Sequence, residues 1–248
     1  MTGTNPPSLR TVPAETIPFS LPREAPWMAG LRAARANVVP GLIVQGVMLG
    51  LLLAYYYYPP TTVLLNRLAV LKGRWGYGYS AVSAIIAGAL IPELLRILVF
   101  QHGKIRRANS ANLLFTIPFW CLMGTVVDGF YRMQAIWFGA DAVFSVVLNK
   151  VLVDQFLYNP VFAAPFTAAL YDWKNRGYGR HGLEMFFTPN YYRDVVLPTL
   201  CATWGVWIPV VSILYSLPSL LQIPLFGLAL SLWVMLYTWM SERRADGN

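Results

Sequence analysis

Three acidic residues lie inside long apolar stretches, and each has a basic residue about one helical turn away. The pairs are Glu93 with Arg96, Asp128 with Arg132, and Asp154 with Lys150. Residues three or four positions apart share one face of an α-helix, so each pair can neutralise its own charge. Ionised groups in hydrocarbon are costly, and they commonly face a bundle interior or a wet cavity on a solute path. These residues are therefore suited either to local ion pairing or to lining a polar pathway.

The two interpretations do not fit all three acidic residues equally. For Asp128, near the end of its apolar stretch, a local pair whose basic side chain extends to the interface and a pathway role both remain open. For Glu93 and Asp154 the pathway role is favoured, because such groups usually face a bundle interior or a wet cavity. Pro92 can also free backbone carbonyls beside Glu93. The predicted lining of a polar cavity or pore is Glu93, Arg96, Asp128, Arg132, Asp154 and Gln155.

Motifs of soluble enzymes are missing from the sequence. His102 and His181 have no cysteine or carboxylate at metal-ligand spacing. The glycine-rich "GRWGYGYS" follows no strand pattern, and no serine lies in a nucleophile-elbow motif. We therefore predict no catalytic residue, no metal and no cofactor. An enzyme acting on lipids or quinones, which would need a lateral opening and a bound cofactor, is a third hypothesis.

The composition places the chain in a membrane. Of its 248 residues 56% are hydrophobic and 12% are charged, whereas about a quarter of the residues of a soluble domain are charged. The net charge of +8 does not indicate a nucleic-acid partner, because the basic residues lie between apolar blocks and form no single basic face. We predict an integral membrane protein whose first partner is the lipid bilayer.

Six segments are long enough to cross a hydrocarbon core of about 30 Å as helices. They are residues 38–58, 79–100, 113–131, 142–170, 195–217 and 220–240. The prediction is an all-α multi-pass transmembrane bundle in one domain (38–241), between a Pro-rich polar tail (1–37) and a polar C-terminal tail (242–248). Prolines are expected to kink the fourth segment and the last two, and one span plus a shorter buried helix remains an alternative for 195–240.

Loop charge supports an even number of crossings. With six spans, thirteen Lys or Arg residues fall on the side of the two termini and five on the other side. Because basic loops are retained in the cytoplasm, both termini are predicted on the cytoplasmic side.

Three motifs in the second half of the chain resemble a known family. "GTVVDGFYRM" from Gly124, "VDQFLYNP" around Asp154, and "WGVWIPVVSILYSLP" with a late tryptophan are similar to elements of the Mpv-seventeen and 22-kilodalton peroxisomal membrane protein family. Thr125 stands where the family has proline, which indicates a divergent member. Besides the polar residues above, the matching positions are Gly124, Gly129, Tyr131, Pro160, Trp207, Pro209, Pro218 and Trp233.

The resemblance implies a weakly selective channel in a bacterial inner membrane or an organellar membrane. Our leading hypothesis is therefore a channel or facilitator for small polar metabolites or ions. The alternative is a non-transporting structural or accessory subunit of a larger membrane complex. Gly46 and Gly50 give the first span a small-residue face for packing within the chain or for a homo-oligomer. Since six helices leave little central space, a pore would need a side cavity or an oligomer.

Overall fold

The computed structural model describes residues 26–179, 184 and 186–246, and these residues contain helices but no strand. The longer helices are α1 (Pro26–Ala36), α2 (Val38–Tyr57), α3 (Pro59–Trp75), α4 (Tyr77–Phe100), α5 (Arg107–Phe138), α6 (residues 144–175), α7 (Tyr192–Tyr215) and α8 (Ser219–Asp246). The predicted all-α helical bundle is confirmed.

Five helices are long and apolar enough to cross a membrane. They are α2, α4, α5, α7 and the Ser219–Leu236 part of α8. The remaining predicted span, 142–170, forms α6 but is not one of the five. Its polar side chains, among them Asn149, Lys150 and Asn159, lower its mean hydropathy.

Contacts between helices show how the chain runs through the bundle. The rings of Phe115 and Tyr171 lie 5.4 Å apart, and those of Phe130 and Tyr158 lie 3.9 Å apart, so α5 and α6 are antiparallel along much of their length. The hydroxyl of Tyr56 at the end of α2 donates to the Ser216 carbonyl just after α7 (2.8 Å), so these two helices are parallel.

We call the end of the bundle where α4 ends, α5 begins, α6 ends and α7 begins the basic end. Its described basic residues include Lys104, Arg106, Arg107, Lys174, Arg176 and Arg193. The loops to which the sequence assigned the excess of positive charge therefore lie at one end. We call the other end of the bundle, where α4 and α6 begin, the opposite end. Helix α6 runs from the opposite end to the basic end, parallel to α4, and thus has the direction expected of a sixth crossing.

Helix α3 was not predicted, because its three basic residues made this stretch look like a loop. Pro59 and Pro60 occupy its first turn, where the missing N–H groups cost nothing. Its buried residues, Leu65 and Lys72, are two helical turns apart and form one narrow stripe facing the bundle. Both ends of α3 lie at the opposite end, since α2 ends there and α4 begins there.

The predicted tails contain more helix than expected. Helix α1 falls within the predicted tail 1–37 and packs against α7, and the side-chain amide of Asn37 donates to the Ala202 carbonyl (3.4 Å). Residues 1–25 of that tail lie outside the described residues. At the other terminus α8 continues to Asp246, through most of the predicted tail 242–248.

Prolines lie inside several of the helices, among them Pro118 in α5. Pro160 falls in the Asp154–Ala163 part of α6, which is π-helical, and this wider register accommodates a residue without an N–H. Pro209 lies within α7 and Pro224 within α8, whereas Pro218 lies in the turn between them. Residues 195–240 thus form two long helices, as the leading prediction had it.

The main apolar core lies where α2, α7 and α8 meet. Its buried residues include Val44, Met48, Val210, Leu214 and Leu221. Helices α2 and α7 pack closely at Gly41, because a Cβ added there would lie 2.7 Å from a Val206 methyl carbon. Gly46 and Gly50 face open space, so none of the described residues packs against the small-residue face predicted on α2.

Helices α4 and α5 pack closely at Gly124. A Cβ there would lie 2.5 Å from both the Ala84 methyl group and the Ser80 carbonyl oxygen. We expect Gly124→Ala to destabilise the fold by about 1–3 kcal/mol, since the two backbones must separate. The matched control is Gly46→Ala, which meets open space and should be neutral or slightly stabilising. Thermal unfolding of both proteins in one detergent tests this, and equal shifts in Tm would contradict it.

Candidate functional site

A cavity of about 670 Å³ lies among α4, α5, α6, α7 and α8. Each helix contributes lining residues, for example Ala84, Trp120, Asp154, Thr203 and Phe226. Small-molecule sites in proteins typically enclose about 300–1,000 Å³ and combine apolar walls with a few polar groups. The cavity therefore has the size and the mixed lining of a ligand site.

The cavity opens toward the basic end. Its exposed lining residues, Asn175, Val195 and Thr199, come from the end of α6 and the beginning of α7. Its buried lining residues include Asp154 and Tyr131, which lie deeper in the bundle. A solute entering from the basic end would therefore reach Asp154 at the inner end.

Asp154 is the centre of a hydrogen-bond network at this inner end. The Tyr215 hydroxyl donates to Asp154 Oδ2 (2.5 Å), and the Gln155 amide donates to Oδ1 (2.8 Å). The Gln134 amide in turn donates to the Tyr215 hydroxyl (2.9 Å). All four side chains are buried. Side chains from three helices thus hold the carboxylate in one position.

The ion pair between Lys150 and Asp154 that their spacing allows, the less favoured alternative for Asp154, is not formed. The Lys150 ammonium lies 5.8 Å from the centroid of the Tyr215 ring, and Tyr215 rather than lysine contacts the carboxylate. The i, i+4 spacing brings two side chains to one helix face, but a side chain from α7 occupies the place beside the carboxylate. Within the described residues, Asp154 has no ion-pair partner.

Two buried polar atoms of lining residues lack a hydrogen-bond partner in the described part of the chain. They are Gln155 Oε1 and the Tyr158 hydroxyl. Buried polar groups in native proteins are nearly always paired, with protein, water or a ligand. The unpaired atoms on the cavity wall are therefore available to a polar occupant.

The π-helical part of α6 begins at Asp154 and supplies much of the lining. Gln155, Tyr158, Asn159 and Ala163 belong to it and line the cavity. Departures of this kind from regular α-helix occur often at functional sites, because they change the direction of successive side chains. Here Asp154 and Gln155, although adjacent in sequence, are both buried.

Glu93 belongs to a separate network at the basic end. It is 2% exposed, pairs with Arg96 (3.0 Å) and accepts hydrogen bonds from the amides of Asn109 (2.5 Å) and Asn112. Asn112 also accepts a hydrogen bond from the Lys174 ammonium, which ties α6 to α4 and α5. None of these side chains lines the cavity.

Asp128 belongs to a second network at the opposite end. Its carboxylate contacts Lys72 (2.5 Å), Ser80 (2.7 Å) and Arg132 (3.1 Å), and the Lys72 ammonium also donates to the Gly76 carbonyl (2.8 Å). The local pair with Arg132 is as predicted, but Arg132 is 49% exposed while Lys72 is 3% exposed. The principal partner of Asp128 is therefore Lys72 of α3, which the sequence indicated only as a loop residue.

The structure does not bring the six predicted polar site residues together. Asp154 and Gln155 line the cavity. The other four lie in the two networks at the ends of the bundle, and they are Glu93, Arg96, Asp128 and Arg132. Most of the side chains around Asp154 were not predicted. Tyr215 and Gln134 are polar groups within apolar helices, and this was the signal that could have identified them.

The positions that carried the family resemblance have varied surroundings. Gly124, Tyr131 and Trp207 line the cavity, and the Trp207 ring lies 6.4 Å from that of Trp233. The Pro160 carbonyl accepts a hydrogen bond from the Tyr192 hydroxyl (3.1 Å). The remaining resemblance positions are Gly129, where an added Cβ would lie 3.8 Å from the Tyr77 hydroxyl, and Pro209 and Pro218, described above. His181, predicted as a loop histidine, lies outside the described residues.

Compared with protein-family models, with curated proteins and with solved structures, the chain gives no match.

Proposed function

We propose that the chain is an integral membrane protein that moves small polar solutes or ions across the bilayer through the cavity at Asp154. The observation that supports this most directly is a cavity open at the basic end whose buried inner wall carries Asp154 and Gln155. A polar group held at that depth in a helical bundle commonly belongs to a solute or ion path.

The inner end of the cavity is closed by aromatic side chains. Tyr158 stacks on Phe130 at 3.9 Å, and the rings of Tyr131 and Tyr215 lie 5.0 Å apart. Passage to the opposite end therefore requires these rings to move, as the gates of transporters and lidded enzymes do. We propose a gated facilitator rather than a permanently open pore.

The proposal includes the topology inferred from the sequence. In it α6 is the sixth crossing, both termini lie on the cytoplasmic side, and the cavity opens to the cytoplasm or its organellar equivalent. The resemblance to the Mpv-seventeen and 22-kilodalton family supports the same proposal, because its members are described as weakly selective channels. The membrane would be a bacterial inner membrane or an organellar membrane.

Flux through reconstituted protein tests the proposal. Liposomes containing the purified protein should release small polar solutes such as glycerol, or small ions, faster than protein-free liposomes. Asp154→Ala should change the rate of at least one of these fluxes by about tenfold, which corresponds to about 1.4 kcal/mol at the inner end of the cavity. Asp141→Ala, at an exposed position outside the cavity, is the control and should leave every flux unchanged. Folded protein that moves none of these solutes in any lipid would contradict the proposal.

A second candidate function is that of a non-transporting subunit of a larger membrane complex. Two observations favour it. The polar networks at Glu93 and Asp128 are satisfied within the chain, and Gly46 and Gly50 of α2 face open space available to a partner helix. Co-purification of one stoichiometric partner in mild detergent, together with absence of flux, would favour this candidate over the first.

A further inference from the structure

We propose that the cavity binds a small organic cation, that is, a compact ammonium group with apolar substituents. This deepens the proposed function, on whose site it rests, by naming the class of solute. The inference follows from the charge, the aromatic lining and the unpaired acceptors of the cavity, which point to the same chemistry.

The charge of the lining is negative. Two lining residues are carboxylates, and none of the described lining residues is lysine or arginine. Asp172, near the mouth, is balanced by Arg176 at 3.0 Å. Asp154, at the buried inner end, has only the neutral partners Tyr215 and Gln155. A buried carboxylate without a countercharge is strongly unfavourable, so a cationic occupant would stabilise this arrangement and an anionic one would be repelled.

Aromatic rings supply much of the remaining lining. Six lining residues are aromatic, namely Trp120, Tyr131, Tyr158, Tyr171, Trp207 and Phe226. The faces of such rings attract cations, and desolvated contacts contribute up to about 2 kcal/mol each. Cages of aromatic rings recognise quaternary ammonium groups elsewhere in proteins.

The hydrogen-bonding atoms favour a ligand that carries a donor. Because the Gln155 amide nitrogen donates to Asp154, its oxygen is left as an acceptor, and this oxygen has no partner among the described residues. A small hard metal ion fits less well, because such ions require about six or more oxygen ligands and this lining is mainly apolar. An N–H or O–H donor on an organic cation satisfies the Gln155 oxygen directly.

Titration calorimetry of the full chain in detergent tests the inference with choline as the probe. Its neutral isostere, in which carbon replaces the ammonium nitrogen, has the same shape and the same hydroxyl group. We expect choline to bind at least about tenfold more tightly than this alcohol, and Asp154→Asn to remove most of the difference. Equal affinity for the two compounds, or tighter binding of an anion such as propionate, would overturn the proposal.

A second pair of variants tests the aromatic contribution if Asp154→Asn does not fold. Tyr158→Phe keeps the ring and should retain choline binding within about twofold, whereas Tyr158→Leu removes the ring and should weaken binding by about threefold or more. Asp141→Asn, exposed and outside the cavity, should bind choline as the unmodified protein does. Equal binding by the two Tyr158 variants would contradict a ring-to-cation contact.

The outcomes separate this inference from the proposed function. Choline binding without flux of any solute would contradict the transport function and support the binding site. Glycerol flux without choline binding would support transport and overturn the cation site. Choline flux that disappears in Asp154→Asn while folding is retained would support both.

Discussion

Replacing Asp128 by asparagine is expected to lower the free energy of unfolding by about 3–5 kcal/mol. The Lys72 ammonium and the Asp128 carboxylate, each 3% exposed, lie 2.5 Å apart, and the substitution leaves the lysine charge buried without a partner. The Ser80 hydroxyl keeps an oxygen to which it can donate, so most of the loss comes from the charge. Chemical or thermal unfolding of the purified protein measures the effect.

Two controls separate the buried pair from the exposed one. Arg132→Met removes the other basic partner of Asp128, but Arg132 is 49% exposed, so the loss should be below about 1 kcal/mol. The double variant Lys72→Met with Asp128→Leu removes both buried charges and should recover much of the stability lost in Asp128→Asn. If Asp128→Asn lowers the free energy of unfolding no more than Arg132→Met does, the buried pair with Lys72 does not have the proposed effect.

The pH dependence of Asp128→Asn follows from Lys72. Burial lowers the pKa of Lys72 below its usual value of 10.5, and the Asp128 carboxylate opposes this effect. Without the carboxylate the folded protein holds the Lys72 proton less tightly than the unfolded chain does, so stability rises as pH increases toward the unfolded pKa. The deficit of the variant should therefore shrink between about pH 7 and about pH 10. A deficit that is constant over this range would contradict the assignment to Lys72.

The course of the chain was largely readable from the sequence, because apolar length decides which segments become membrane-type helices. The local pairs of Glu93 with Arg96 and of Asp128 with Arg132 were readable too, since helix geometry fixes which side chains share a face. Helix α3 was missed because its buried stripe is only Leu65 and Lys72, too little to distinguish a helix from a polar loop.

Long-range partners could not be read from the sequence. Lys72 lies 56 positions before Asp128, and Tyr215 lies 61 positions after Asp154, so only the packing of whole helices brings each pair together. The absence of a Lys150–Asp154 pair has the same origin. Spacing along one helix says which contacts are possible, whereas competition from a neighbouring helix decides which of them forms.

The three acidic residues therefore have different roles despite similar sequence surroundings. Asp128 joins α3, α4 and α5 at the opposite end, and Glu93 joins α4, α5 and α6 at the basic end. Asp154 lies between these ends, beside a cavity and without a basic partner among the described residues. The satisfied networks hold the helices in place, and Asp154 is the acidic residue that we propose binds a ligand.

Replacing Glu93 by alanine is accordingly expected to destabilise the protein by about 3 kcal/mol. The change removes the acceptor for the Asn109 and Asn112 amides and the countercharge of Arg96, and hydrogen bonds to a charged group contribute about 1.5–3 kcal/mol each. The cationic Lys174, held through Asn112, also loses its link to α4. Unfolding in detergent measures the loss, and Arg96→Met, at a side chain 34% exposed, is the milder control.

The flux of Glu93→Ala shows whether Glu93 contacts the solute or only stabilises the fold. Glu93 does not line the cavity, so flux per folded molecule and affinity for choline should match those of the unmodified protein, although the yield of folded protein falls. Asp154→Asn should show the opposite pattern, with altered flux and affinity at a smaller cost in stability, because asparagine keeps an acceptor for the Tyr215 hydroxyl. If Glu93→Ala changes solute selectivity in molecules that remain folded, the path must extend to the network at the basic end, and Glu93 must then contact the solute.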